Sequence, residues 1–250
     1  MQTFQEPQVK REKILVAVKT YTQVSIKYTE TVCTAGLLEN GKWIRIYPVP
    51  YRAMGSDKKF KKYQWIEADI IKDKKDPRPE SYKLAGDIEL QDIVDTKDAW
   101  EERKKIVLSK VYNNLDTLIH EARDTKTFTS LATFKPKRII GFSVEKKPHV
   151  KNKCVNLIEA IPFKFYYKFV DRCGKRSKLQ ILDWELYQLC RKLIRLHGKN
   201  TRKIASVLRE KYLHNMSKKD VYLLLGTNKY WHIRRSKNPF MIIGVFYPPK

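Results

Sequence analysis

Up to Val94 the apolar residues recur with the period of a strand, and helical spacing begins only after Asp98. This change of period constrains the fold more than any other feature, because the chain has to pair strands before it can lay helices on them. Residues 13–22, KILVAVKTYT, are β-branched and apolar and read as a buried strand. Residues 31–49 read as a hairpin turning at Asn40-Gly41, the dipeptide that best tolerates positive φ. In the stretch ENGKWIRIYPVPYR, residues 39–52, Ile44 and Ile46 share one face of a strand. Trp43, Arg45 and Tyr47 share the other. Pro48 and Pro50 end that strand, since neither donates to a ladder. QWIEADIIKD, residues 64–73, alternates again, and residues 88–94 form a further strand.

Past Asp98, Trp100, Ile106, Val107, Val111, Leu115, Leu118 and Ile119 fall at helical spacing. Asp98 is placed as an N-cap, with Glu101 three residues on. KRIIGFSVEKK, residues 137–147, returns to strand. The class is therefore α+β. Residues 1–150 make an α+β or barrel-like domain, strand-rich with two helices. A polar, basic linker, residues 146–153, joins it near 148–161 to a basic hairpin and helical unit at 160–250.

That second unit opens with FKFYYKFV, residues 163–170, which turns through residues 171–174 into KRSKLQI. Phe163, Phe165, Tyr167 and Phe169 form its core face. Lys164, Tyr166 and Lys168 lie opposite, with Arg176 and Lys178 beside them. Asp183 caps a helix over 184–197 that Gly198 ends. A second helix spans 201–213. Residues 218–225 have two readings. One is the third helix of a winged helix-turn-helix, whose wing carries Trp231, His232, Arg234, Arg235 and Lys237. The other is a second α+β sheet that takes in the 163–181 hairpin and the final strand, since DVYLLLG is rich in strand formers.

Charge narrows the partner class. Lys and Arg number 52 against 27 Asp and Glu, a net charge of +25. Residues 162–250 hold 21 basic and 5 acidic residues, and residues 1–161 hold 31 and 22. The excess is concentrated in the C-terminal unit, which favours a polyanion. No apolar run approaches a membrane span, and Met1–Arg11 lacks the apolar stretch of a signal peptide. A cytoplasmic protein with no membrane partner is the expectation. Cys33, Cys154, Cys173 and Cys190 form no CxxC pair, and the five histidines show no HxH or HExxH spacing. These residues are read as reduced thiols and isolated imidazoles, with no metal and no cofactor.

Aromatic residues interleaved with Lys and Arg suit nucleic acid, because bases stack and phosphates attract cations. The candidate binding residues are Trp43, Arg45, Lys164, Tyr166, Lys168, Arg176, Lys178, Trp231, Arg234 and Arg235. DNA is slightly preferred over RNA, through the winged-helix reading. For Trp43 the competing reading is a tryptophan packed beneath the helices at 99–122, with Arg45 snorkelling. The enzyme alternative is a metal-dependent nuclease. In that reading Glu67, Asp69, Asp87 and Glu89 converge from paired strands as candidate catalytic carboxylates and hold Mg²⁺. A third possibility is an adaptor that meets an acidic protein. No P-loop, dinucleotide fingerprint or nucleophile elbow occurs.

The segments ETVCTAGLLENGKWIRIYPVPYR, LATFKPKRIIGF, GKRSKLQILDWE and LLLGTNKYWH with NPFMIIGVFYP run along most of the chain. Together they resemble a prokaryotic protein family with no assigned activity. The resemblance implies an intracellular protein and carries over no catalytic residue.

Overall fold

The structure is a computed structural model that describes residues 8–21, 31–147, 161–198 and 200–250. Strand β1 (Lys10–Lys19) pairs antiparallel with β2 (Val32–Leu38) on one side and β4 (Gln64–Lys72) on the other. β2 pairs with β3 (Trp43–Val49), and β3 meets β5 (Ser81–Ile93) in parallel at Arg45 and Ser81. β5 returns antiparallel to β4 and closes a barrel of order β1-β2-β3-β5-β4. Ile14, Val16, Ile44, Ile46, Ile66 and Phe60 fill its interior, so the alternation read at Ile44 and Ile46 is observed. The β2–β3 hairpin turns at Gly41, whose φ of 76° is easily adopted without a Cβ. At Gly36 the strands approach so closely that a Cβ would lie 2.4 Å from the Leu15 carbonyl oxygen.

Helix α1 (Lys97–Val107) leads from the barrel into a seven-stranded sheet. Asp98 does not cap it. The helix follows Thr96, and the Lys97 N–H donates to the Asp95 carboxylate at 2.9 Å. Val111 has left the helix and belongs to β6 (Val111–Tyr112). Then come α2 (Leu115–Arg123), β7 (Leu131–Phe134), β8 (Arg138–Lys146), β9 (Phe163–Val170) and β10 (Arg176–Ile181). They are followed by α3 (Trp184–His197), α4 (Thr201–Arg209), β11 (Tyr222–Thr227), α5 (Lys229–Ile233) and β12 (Phe240–Phe246). The sheet order is β6-β7-β11-β12-β10-β9-β8. Strands β6, β7 and β8 lie before residue 150 in sequence and pair in this second sheet. The expected linker lies outside the described residues except for Lys146 and Lys147, and Cys154 lies outside them too; Cys33, Cys173 and Cys190 are unpaired thiols.

The winged helix is not present. Residues 222–227 form a strand held between β7 and β12. The reason is double-sided burial: Leu223 and Leu225 enter the core beneath the helices, while Leu224 enters the core against the barrel. A strand covered on both faces reads as a continuous apolar run. In place of a wing hairpin, residues 229–233 form the one-turn helix α5.

One face of the sheet carries the larger core. Phe165, Tyr167 and Ile242 meet Leu118 of α2, Leu186 and Leu193 of α3 and Ile204 of α4. Helix α3 begins where the sequence places it, with the Asp183 carboxylate accepting from the Glu185 and Leu186 N–H groups at 2.8 and 3.3 Å. The opposite face is divided. On β7, β11 and β12 it packs against the barrel, with Leu131, Leu224, Ile243 and Phe246 meeting Leu15, Ala17, Val18, Ala35 and Leu37. On β8, β9 and β10 it carries polar side chains and faces outward. Among the described residues, no helix is long and apolar enough to cross a membrane.

Candidate nucleic-acid interface

The barrel closes through a parallel β3–β5 pair. The seven-stranded sheet covers the outer face of β2 and β3. Trp43 points outward from β3, as its alternation requires, and is half-buried in the cluster that includes Val107 of α1 and Leu224 of β11. Arg45 is 3% exposed. Its Nη1 donates to the Ser81 and Ser130 hydroxyls at 3.2 and 2.9 Å, and its Nη2 to the Ser130 carbonyl at 3.2 Å. Ser130 in turn donates to the Glu80 carboxylate through its N–H at 3.1 Å and its hydroxyl at 2.8 Å. Burial, with Arg78 nearby, pulls the Arg45 guanidinium down to about 10. Arg45 has no surface to offer a ligand, and Trp43 and Arg45 both lie where the barrel meets the sheet.

A second buried pair lies beside the first. The Arg78 guanidinium donates to both Asp76 oxygens, at 2.9 and 2.5 Å, and to the Thr227 carbonyl at 2.7 Å. Burial opposes the charge on Asp76, but the Arg78 hydrogen bonds outweigh it and hold the carboxyl at about 2. These groups come from the β4–β5 loop and the end of β11, far apart in sequence.

The hairpin residues lie together, as their alternation predicts. Pairing sets Lys178 opposite Lys168, Gln180 opposite Tyr166 and Glu145 opposite Lys164. Lys164 and Tyr166 are half-buried, and Lys168, Arg176 and Lys178 are exposed. Lys178 Nζ lies 4.4 Å from the centre of the Tyr166 ring and 2.6 Å from a Glu145 oxygen. That hydrogen bond draws Glu145 below the usual carboxylate range. Lys164, Lys168 and Lys178 thus stand near one carboxylate from the third strand, and Arg176 lies farther along β10, opposite Val170. Along β9 the strand rise puts Lys164 and Lys168 about 13 Å apart, with Tyr166 midway.

Trp231 and Arg234 stand at the β11–β12 connection. Tyr230 and Trp231 are 49% and 51% exposed, with ring centres 4.8 Å apart and nearly perpendicular. The Arg234 guanidinium lies 4.0 Å from the Tyr230 ring centre. Arg235 is exposed, at a left-handed φ of 49°. Asn228 caps α5 by accepting from the Tyr230 and Trp231 N–H groups at 2.9 and 3.4 Å. His232 points inward at 2% exposure, its Nδ1 3.0 Å from the Thr227 hydroxyl. It anchors the tip and does not join the wing surface read from sequence.

Glu67, Asp69 and Glu89 do converge across β4 and β5, but on Arg11 of β1. Its guanidinium nitrogens lie 3.3, 3.5 and 2.6 Å from the three carboxylates. Asp87 turns away to Lys58 at 3.0 Å. An arginine stands among the carboxylates where the nuclease reading requires a metal ion, and the cluster is a charge network on the outer barrel wall. Among the described residues no group of three His, Cys, Asp or Glu side chains is arranged to hold a metal ion.

A family model described as Domain of unknown function (DUF8758) matches residues 10–109. Another, described as Domain of unknown function (DUF8757), matches residues 111–250. The border falls between α1 and β6, so every barrel strand lies in the first match and every strand of the sheet in the second. No curated protein matches the chain.

Proposed function

We propose that this chain, which belongs to the family described as Domain of unknown function (DUF8757), binds nucleic acid on the outward face of β8, β9 and β10. The observation that carries the reading is the grouping of Lys164, Lys168 and Lys178 around Tyr166, with Arg176 farther along the same side of the sheet. The cations meet phosphates, and the tyrosine ring and the Tyr230–Trp231 pair offer stacking surfaces for unpaired bases. Single strands are the favoured ligand for that reason. The ground for preferring DNA over RNA goes with the winged helix, because the residues that would form its recognition helix are a buried strand. The barrel's role is to brace the sheet.

The test is a salt series with labelled single-stranded DNA, single-stranded RNA and duplex DNA. Replacing Lys164, Lys168, Arg176 and Lys178 together by Gln reduces the slope of log K against log salt by about 3 units on a single strand. An unchanged slope in a folded variant places the binding surface elsewhere.

A further inference from the structure

We propose that the seam between the barrel and the start of α3 is a subsite for a nucleoside phosphate, built from Lys19, Arg52, Tyr51 and Trp184. Lys19 ends β1 and is half-buried. Its Nζ donates to the Tyr51 hydroxyl at 3.0 Å and the Phe60 carbonyl at 3.1 Å, both neutral acceptors. The ammonium lies 4.4 Å from the Tyr51 ring centre and 5.7 Å from that of Phe60. Among the described residues no carboxylate stands within ion-pair distance of it. The carboxylates nearby are engaged elsewhere: Asp183 and Glu185 lie 3.2 and 3.6 Å from the buried Lys62. Burial, opposed by Glu185 and helped by Lys62, draws Lys19 down to about 8. A cation so placed gains from an anion far more than a solvated surface lysine does.

The aromatic half of the subsite is contiguous with it. The Tyr51 and Trp184 rings meet edge to face, 5.8 Å apart. The Arg52 guanidinium lies 5.0 Å from the Trp184 ring centre. Tyr51, Arg52 and Trp184 are all half-buried. Two cations therefore flank one half-buried aromatic pair, an arrangement that suits a ligand joining a flat ring to a phosphate. Free phosphate lacks the ring, and a nucleoside lacks the charge. The subsite shares no residue with the β8–β10 face and does not depend on that face binding a polymer.

The experiment is calorimetric titration of the full chain with a purine and a pyrimidine nucleoside 5′-monophosphate, the parent nucleosides and inorganic phosphate. A monophosphate is expected to bind at least tenfold tighter than either fragment. Lys19→Met and Arg52→Gln, each confirmed as folded by melting, are expected to weaken it at least tenfold. The variant neutralised at Lys164, Lys168, Arg176 and Lys178 is expected to bind it as the parent does, which separates this subsite from the sheet face. A short oligonucleotide with and without a 5′-phosphate then tells the two sources apart. Tighter binding of the phosphorylated strand, competed by the monophosphate, assigns the site to a strand terminus. Equal binding assigns it to the free nucleotide. Monophosphate binding no tighter than phosphate alone, or unaltered in both Lys19→Met and Arg52→Gln, overturns the proposal.

Discussion

Replacing Arg45 by Ala tests whether this arginine is a clasp between the barrel and the sheet. The guanidinium makes three hydrogen bonds, one to Ser81 and two to Ser130. Its truncation leaves the Ser81 and Ser130 hydroxyls and the Ser130 carbonyl without that donor. Leaving a buried acceptor unsatisfied costs about 1–3 kcal/mol for each group. For a chain of this length that is a fall in melting temperature on the order of 10 °C. Thermal melts by circular dichroism measure it. Binding of a labelled oligonucleotide, measured well below the melt, is expected to match the parent, since a residue 3% exposed has no surface to offer. A variant that melts with the parent, or one that stays folded and loses binding, refutes the assignment of Arg45 to the interface.

His232 predicts an acid limb. Burial, with Arg78 adding to it, pulls the imidazole down to about 4, against an ordinary value near 6.5. Between those values the unfolded chain binds the proton and the folded one does not, so stability falls as pH drops from about 6.5 to 4, by on the order of 3 kcal/mol. Denaturant melts of His232→Gln across that range should show a shallower fall, and an unaltered slope counts against a neutral, buried His232. Gly36→Ala drives a Cβ to 2.4 Å from the Leu15 carbonyl oxygen, and its melting point should drop by the equivalent of at least about 1–3 kcal/mol; a parent-like melt would show that β1 and β2 are not so closely apposed. At the tip, Trp231→Ala should leave the melting temperature nearly unchanged, because the ring is half in solvent, and weaken single-strand binding by about 1–3 kcal/mol. A lowered melting temperature with normal binding would make Trp231 a structural anchor.

Local periodicity made much of the fold legible. The alternation at Ile44 and Ile46, the Phe163–Phe169 core face, the Asp183 cap and the Gly198 stop all lie where the pattern puts them. The reading that set the hairpin and the final strand in one sheet also matches the observed pairing, since β10 meets β12 at Ile181 and Ile242. Which surface an outward residue meets was not legible. Trp43 and Arg45 alternate as a binding strand would, yet that face is covered by strands 85 or more residues later in the chain. The same blindness hid the Lys62–Asp183 pair, 121 residues apart in sequence, and Arg11 among its three carboxylates. Asp183-Trp184-Glu185 reads in sequence as a helix start, and the cap is indeed made. Its further contacts with Lys62 and Arg52 need the barrel in place.

Lysine footprinting locates the nucleic-acid surface residue by residue. The full chain is acylated with and without a saturating single-stranded oligonucleotide, and each lysine is read by mass spectrometry. Protection is expected at Lys164, Lys168 and Lys178, with little change at Lys13 and Lys58, which lie in ion pairs with Glu39 and Asp87 on the barrel. Protection confined to the barrel, with the three sheet lysines reacting as they do in the free protein, would contradict it.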